Sequence, residues 1–104
     1  MRIAEIYIHN RKAGLLYENA EGYHFQYDTD YLRSSKPMPI SLTLPLQAQL
    51  FSAKVLFPFF DGLIPEGWLL DITEKNWKLN PRDRFGILLV ACKDCIGAVS
   101  VVKI

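Results

Sequence analysis

Through the first part of the chain, hydrophobic positions favour β structure, and in the last third they fall at helical spacing. Residues 2–9, Arg-Ile-Ala-Glu-Ile-Tyr-Ile-His, are β-branched and aromatic and predict a strand. Asn10 to Gly14 is polar and predicts a turn. Leu15-Leu16-Tyr17-Glu18 then predicts the second arm of a hairpin. After a second turn at Asn19 to Gly22, Tyr23-His24-Phe25-Gln26-Tyr27-Asp28 alternates strictly, with aromatics on one face and polar groups on the other. That period of two marks a half-buried strand. Short connections make a three-stranded antiparallel meander the simplest arrangement.

Residues 29–37 are polar and end at Pro37, predicting a loop or a single helical turn. Pro39 and Pro45 bracket Ile40-Ser41-Leu42-Thr43-Leu44, which suits an edge strand or an extended segment. Lys54 to Phe60 is strongly apolar but is broken by Pro58, and Asp61-Gly62 signals a turn. Helical signals begin at Pro65-Glu66-Gly67, a helix entrance with proline and an acid in the first turn. Leu69, Ile72 and Leu79 follow on one face. A second entrance places Asn80 as N-cap, Pro81 at N1 and Asp83 at N3. Phe85, Leu88, Leu89 and Cys92 then form one buried stripe. Asp94 to Gly97 ends that helix, and residues 98–104 predict a strand that returns to the sheet. The expected fold class is α+β: a mostly antiparallel sheet, then two helices and a closing C-terminal strand.

Composition narrows the function. The 104 residues fit one domain spanning 1–104, and 50% are hydrophobic. A chain of this length buries roughly two thirds of its unfolded surface, so neither disulfides nor a metal is required. The net charge is +1, with basic and acidic residues interleaved, so there is no basic stripe for nucleic acid. No apolar run approaches the roughly 20 residues that span a bilayer. The N-terminus lacks the apolar stretch of a signal peptide, so a cytoplasmic location is expected.

Candidate chemistry is sparse. Cys92 and Cys95 form a C-x-x-C, which serves redox or zinc chemistry in other contexts. Here it lacks both a preceding βαβ unit and a second ligand pair, and it reads as two semi-buried thiols at a helix end. A Cys95–His24 nucleophile pair is conceivable, but nothing in the sequence orients the base. His9 and His24 both fall in predicted strands, where a satisfied or exposed histidine is the plainer reading. Asp28 and Asp30 look solvated. There is no P-loop, paired-glycine phosphate cradle or nucleophile elbow. No catalytic, cofactor-binding or metal-ligating residue is therefore assigned. The segment from Phe57 to Trp68 stands out instead, being aromatic and stiffened by Pro58 and Pro65. Part of it, among Phe57, Phe59 and Phe60, is expected to be core. Trp68, beside Gly67 at a helix entrance, is a candidate partner anchor, because tryptophan is the residue type most enriched at interface hot spots. Trp77, between charged neighbours, reads as core or flank.

Several motifs carry a family resemblance. Ser41-Leu42-Thr43-Leu44-Pro45 resembles the S-L-x-L-P segment of the N-terminal region of HipA-type serine/threonine kinase toxins. Phe59 to Gly67 resembles that region's F-F-x-x-L-L-P-E-G, Asp94 to Ala98 its D-C-x-G-A, and Phe25-Gln26-Tyr27 its F-x-Y strand. The motifs occur in family order and cover most of the chain. Two departures stand out: Ala91-Cys92-Lys93 replaces a frequent Leu-Gly-x, and Trp68 replaces a commonly smaller or polar residue.

In the family this region packs beside a much larger ATP-binding kinase core, which holds the catalytic residues and is absent from this sequence. The chain begins and ends where the region does. In this it looks like the stand-alone small subunit of tripartite HipBST toxin–antitoxin systems. The resemblance implies an antitoxin that restrains a HipT-like kinase in trans, with a HipB-like helix-turn-helix protein in the same complex. The expected contact residues are Asp61, Ile64, Pro65, Glu66, Gly67 and Trp68. The alternative is a structural subunit that completes the split kinase without inhibiting it.

Overall fold

Arg2–Ile8 (β1) and Arg11–Asn19 (β2) form a hairpin closed by only two residues, His9 and Asn10. The computed structural model describes residues 2–64, 83–91 and 98–104. His9 and Asn10 both have positive φ, 49° and 65°, as a two-residue turn matched to strand twist requires. The turn expected over Asn10–Gly14 is therefore shorter, and His9 lies in the turn and not in the strand. The polar Arg11 and Lys12 hid the start of β2, because a strand emerging from a tight turn keeps its first residues in water. The pairing register slips between Ile6 and Tyr7, where Ile6 faces Gly14 and Tyr7 faces Lys12. Gly14 lies so close to the neighbouring strand that an added Cβ would collide with the Gln26 carbonyl.

Gly22–Tyr27 (β3) pairs with β2, completing the expected meander. Thr29–Arg33 (α1) is the single helical turn. A short strand that hydrophobic patterning did not reveal, Phe51–Ala53 (β4), adds to the outer edge of β3. Val99–Lys103 (β5) returns antiparallel to β1. Among the described residues the sheet has five strands, in the order β4-β3-β2-β1-β5. The α+β class and the closing strand are as expected.

Ile40–Leu44 is not an edge strand. Ser41 and Leu44 form an isolated bridge across a tight turn, with Leu44 N–H donating to Ser41 O at 3.1 Å. Ser41 Oγ also accepts from the Thr43 N–H at 3.2 Å, a local bond that competes with an extended backbone. The apolar run broken by Pro58 becomes helical. Pro58–Asp61 (α2) is one helical turn with Pro58 at its start, where a missing N–H costs nothing.

Arg84–Ala91 (α3) carries the predicted stripe, with Phe85, Leu88 and Leu89 buried. Asp83 lies outside the helix and acts as its N-cap, in place of the expected N3 position. Its Oδ1 accepts from Gly86 N–H at 3.1 Å, and its carbonyl accepts from Ile87 N–H at 3.0 Å. The expected helix over residues 65–79, and Asn80, Pro81, Cys92 and Cys95, lie outside the described residues.

The core forms where the inner face of the sheet meets α2 and α3. Ala4, Ile6 and Ile8 from β1 meet Leu16 from β2, Phe25 and Tyr27 from β3, and Val99 and Val101 from β5. Phe60 and Phe85 are fully buried in the same cluster. The Phe25 ring lies 5.5 Å from Phe60 and 4.9 Å, edge-on, from Tyr27. Each such side chain contributes about 1.5–3 kcal/mol by leaving water.

Candidate partner-binding site

Of the six contact residues expected from the sequence, the structure describes Asp61 and Ile64; Pro65, Glu66, Gly67 and Trp68 lie outside the described residues. Asp61 closes α2. Its carboxylate accepts from Arg84 Nε at 2.6 Å, tying the end of α2 to the first residue of α3. Ile64 packs against the core, and its N–H donates to Asp61 O at 3.3 Å. Both residues therefore have intramolecular roles.

A second ion-pair cluster fixes the start of α3 to the sheet. Arg2 donates through Nη1 and Nη2 to both Asp83 oxygens at 2.7 and 2.8 Å, and through Nε to Glu18 at 2.6 Å. Its guanidinium carbon also lies 5.3 Å from the centre of the Phe85 ring. A planar donor fork suits this two-point contact better than an ammonium would. The Arg2 hydrogen bonds hold the Asp83 carboxyl below the usual carboxylate range, with help from the Gly86 N–H and against the opposing effect of burial. Asp83 in turn raises the already high Arg2 value. Gly86 is needed here, because a Cβ would strike the Asp83 carboxylate beside the Arg2 guanidinium. Sequence reasoning missed Arg2 and Arg84, since ion pairs between residues so far apart leave no periodic signal.

His24 is the satisfied strand histidine. It is only 6% exposed, and Nδ1 lies 2.8 Å from Ser52 Oγ while Nε2 lies 3.0 Å from Asn19 Oδ1. The carbonyl oxygen of Asn19 needs a donor, so Nε2 carries the proton and Nδ1 accepts from the Ser52 hydroxyl. Tyr17 stacks on the ring at 4.9 Å between centroids. The imidazole thus bridges β3 to β4. The conceivable nucleophile pair with Cys95 falls on a residue outside the described set.

The fold is an α+β domain in which Arg2 ties the start of α3 to the sheet and Asp61 ties α2 to α3. The family model of the HipA N-terminal domain matches residues 4–102, and the chain belongs to that family. An uncharacterized protein of Haemophilus influenzae is 33% identical over 101 residues, spanning 97% of this chain and 92% of that protein. A putative kinase, Y4mE, of Sinorhizobium fredii is 28% identical over 102 residues; the match covers 97% of this chain but only 24% of the kinase. A solved structure of the N-terminal domain of HipA toxin superposes with a TM-score of 0.78 at 29% identity, over 100% of this chain and 93% of that one.

Proposed function

We propose that this protein is an antitoxin of the HipS kind, a cytoplasmic subunit that binds a HipA-like (HipT-like) serine/threonine kinase in trans and inhibits it. The observation that carries the reading is the pair of lengths among its relatives. The same domain forms a quarter of a putative kinase in one organism and nearly the whole of a protein in another. A domain found in both settings is suited to act on a kinase as a separate chain. Trp68, on the Pro65–Gly67 lead-in, is the inhibitory probe at the kinase's nucleotide cleft, and Asp61 and Ile64 seat it. An indole is flat, large and mostly apolar like an adenine ring, and a proline-stiffened lead-in loses little entropy when it binds. A HipB-like helix-turn-helix protein completes the assembly.

The test begins with the neighbouring reading frames, which are expected to encode a HipA-type kinase lacking this domain and a small helix-turn-helix protein. Co-expression with that kinase should restore growth. Trp68→Ala should keep the fold and weaken binding by about 2 kcal/mol, roughly thirtyfold. Full neutralisation by the Trp68→Ala protein at equal stoichiometry rules out the probe. The Sinorhizobium relative favours a second reading, in which the domain completes the kinase fold and supports its activity. In that case co-expression should raise the kinase's toxicity or its solubility.

A further inference from the structure

In the sequence nothing orients His24 as a base; in the fold Asn19 does. Asn19 Oδ1 accepts from the Glu21 N–H at 2.9 Å, which identifies that atom as the carbonyl oxygen of the amide. The same oxygen lies 3.0 Å from His24 Nε2, so Nε2 carries the ring proton. Nδ1 is then a bare lone pair, and the Ser52 hydroxyl, 2.8 Å away, donates to it. Asn19, His24 and Ser52 thus form a chain of orienting acceptor, base and hydroxyl. Serine hydrolases connect the same three roles in the same order, with the two ring nitrogens exchanged.

The surroundings separate the base from the nucleophile. His24 is buried under the stacked Tyr17 ring, whereas Ser52, on the edge strand β4, is exposed. Ser52 opens onto a cleft of about 320 Å³ that Glu21, His24, Ala53 and Lys54 also line. Lys54 Nζ donates to the Glu21 carbonyl at 3.4 Å, across from β4. Joining β3 to β4 requires the Ser52–His24 bond but neither a cleft nor a cation beside it. A cleft of this size suits a small ligand. Glu21 and Lys54 line it with opposite charges, which favours a neutral one.

We propose that Ser52 is the nucleophile of a second, hydrolytic site for small neutral carboxylic esters, with His24 as its general base and Asn19 as a positioning residue. Ser52 Oγ attacks the ester carbonyl carbon while its proton passes to His24 Nδ1. The bond to the alcohol oxygen breaks, the alcohol leaves with that proton, and Ser52 is left acylated. Water then attacks the acyl carbon and gives a proton to Nδ1. The carboxylic acid is released as Ser52 recovers its proton. Lys54 is the cation available to the oxyanion formed in each half of the reaction. The site is independent of kinase binding, and its failure leaves that reading untouched.

The experiment uses the full chain, with a fluorophosphonate and p-nitrophenyl acetate as probes. Ser35, an exposed serine of the same chain, is the internal reference. Peptide mapping should find Ser52 modified by the fluorophosphonate roughly a hundredfold faster than Ser35, the lower end of what a positioned base supplies. Nitrogen NMR of the parent should place the His24 proton on Nε2. Asn19→Ala should mix the tautomers and slow Ser52 modification together, which a merely structural role would not do. His24→Gln should bring Ser52 down to the Ser35 rate. The parent should release p-nitrophenol beyond one equivalent, and Ser52→Ala, altered only at an exposed hydroxyl, should not exceed the uncatalysed rate. Equal rates at Ser52 and Ser35 in the parent, a proton on Nδ1, or turnover undiminished in Ser52→Ala each overturn the site. Acetyl groups found on lysines alone overturn it as well. The first two readings use the parent, so loss of the fold in His24→Gln does not blunt the test.

Discussion

At the scale of single residues, Arg2 and Asp83 hold the most consequential polar contact in the described structure. Arg2 stands at the start of β1, and Asp83 caps α3, far away in sequence. Replacing the Asp83 carboxylate by an amide keeps an Oδ1 that can cap Gly86 and accept from one Arg2 nitrogen, but it removes the charge and turns the second Arg2 acceptor into a donor. Hydrogen bonds to charged groups contribute about 1.5–3 kcal/mol, and the partial exposure of this pair scales that down. Asp83→Asn should therefore destabilise by about 1–2 kcal/mol at neutral pH. The folded protein holds Asp83 below its unfolded value. The stabilisation is thus complete above about pH 4 and is lost as pH falls through the depressed folded value. Urea midpoints at pH 7 and in strong acid should show the gap between parent and Asp83→Asn narrowing in acid. An unchanged gap would mean that the carboxylate charge contributes nothing to stability.

At the scale of elements, legibility followed the length of the periodic signal. β3 and α3 were plain because strict alternation and a three-four stripe each ran over several residues. β4 has three residues, too few for any period to show, and only the edge of β3 makes it a strand. Ile40–Leu44 alternates like a strand yet forms a turn, because Ser41 bonds its own backbone and Tyr27 draws both ends together. That tyrosine gives an element-level prediction. Tyr27→Phe strips a partner from the Ile40 N–H and the Leu44 carbonyl, and it should cost about 1–3 kcal/mol in urea unfolding. The freed turn should also be cut faster at Leu42 by chymotrypsin. A variant as stable and as protease-resistant as the parent would show that the phenol does not hold the turn. Asp61 and Ile64 stand within a motif that the sequence displays. Their structural work is not legible there, since it depends on Arg84 and the core, which meet them only in three dimensions.

At the scale of the whole molecule, the chain closes on itself. β1 lies between β2 and β5, so the first and last strands are hydrogen-bonded neighbours. Pairing strands this distant in sequence carries a loop-closure cost that the ladder and the core must offset. The last strand also contributes to the core, with Val99 and Val101 packing on the inner face against the strand that carries Ala4, Ile6 and Ile8. Losing two buried valines removes about 3–6 kcal/mol. Exposing the β1 edge removes its ladder bonds as well. A small domain holds only about 5–15 kcal/mol in total. A chain ending at Ala98 should therefore show no cooperative thermal transition by circular dichroism. Val101→Asp, at full length, should fall in the same direction by burying an unpaired charge. A sigmoidal melt near the parent's midpoint in either variant would mean that β5 is an accessory strand and that the sheet is stable on its first four.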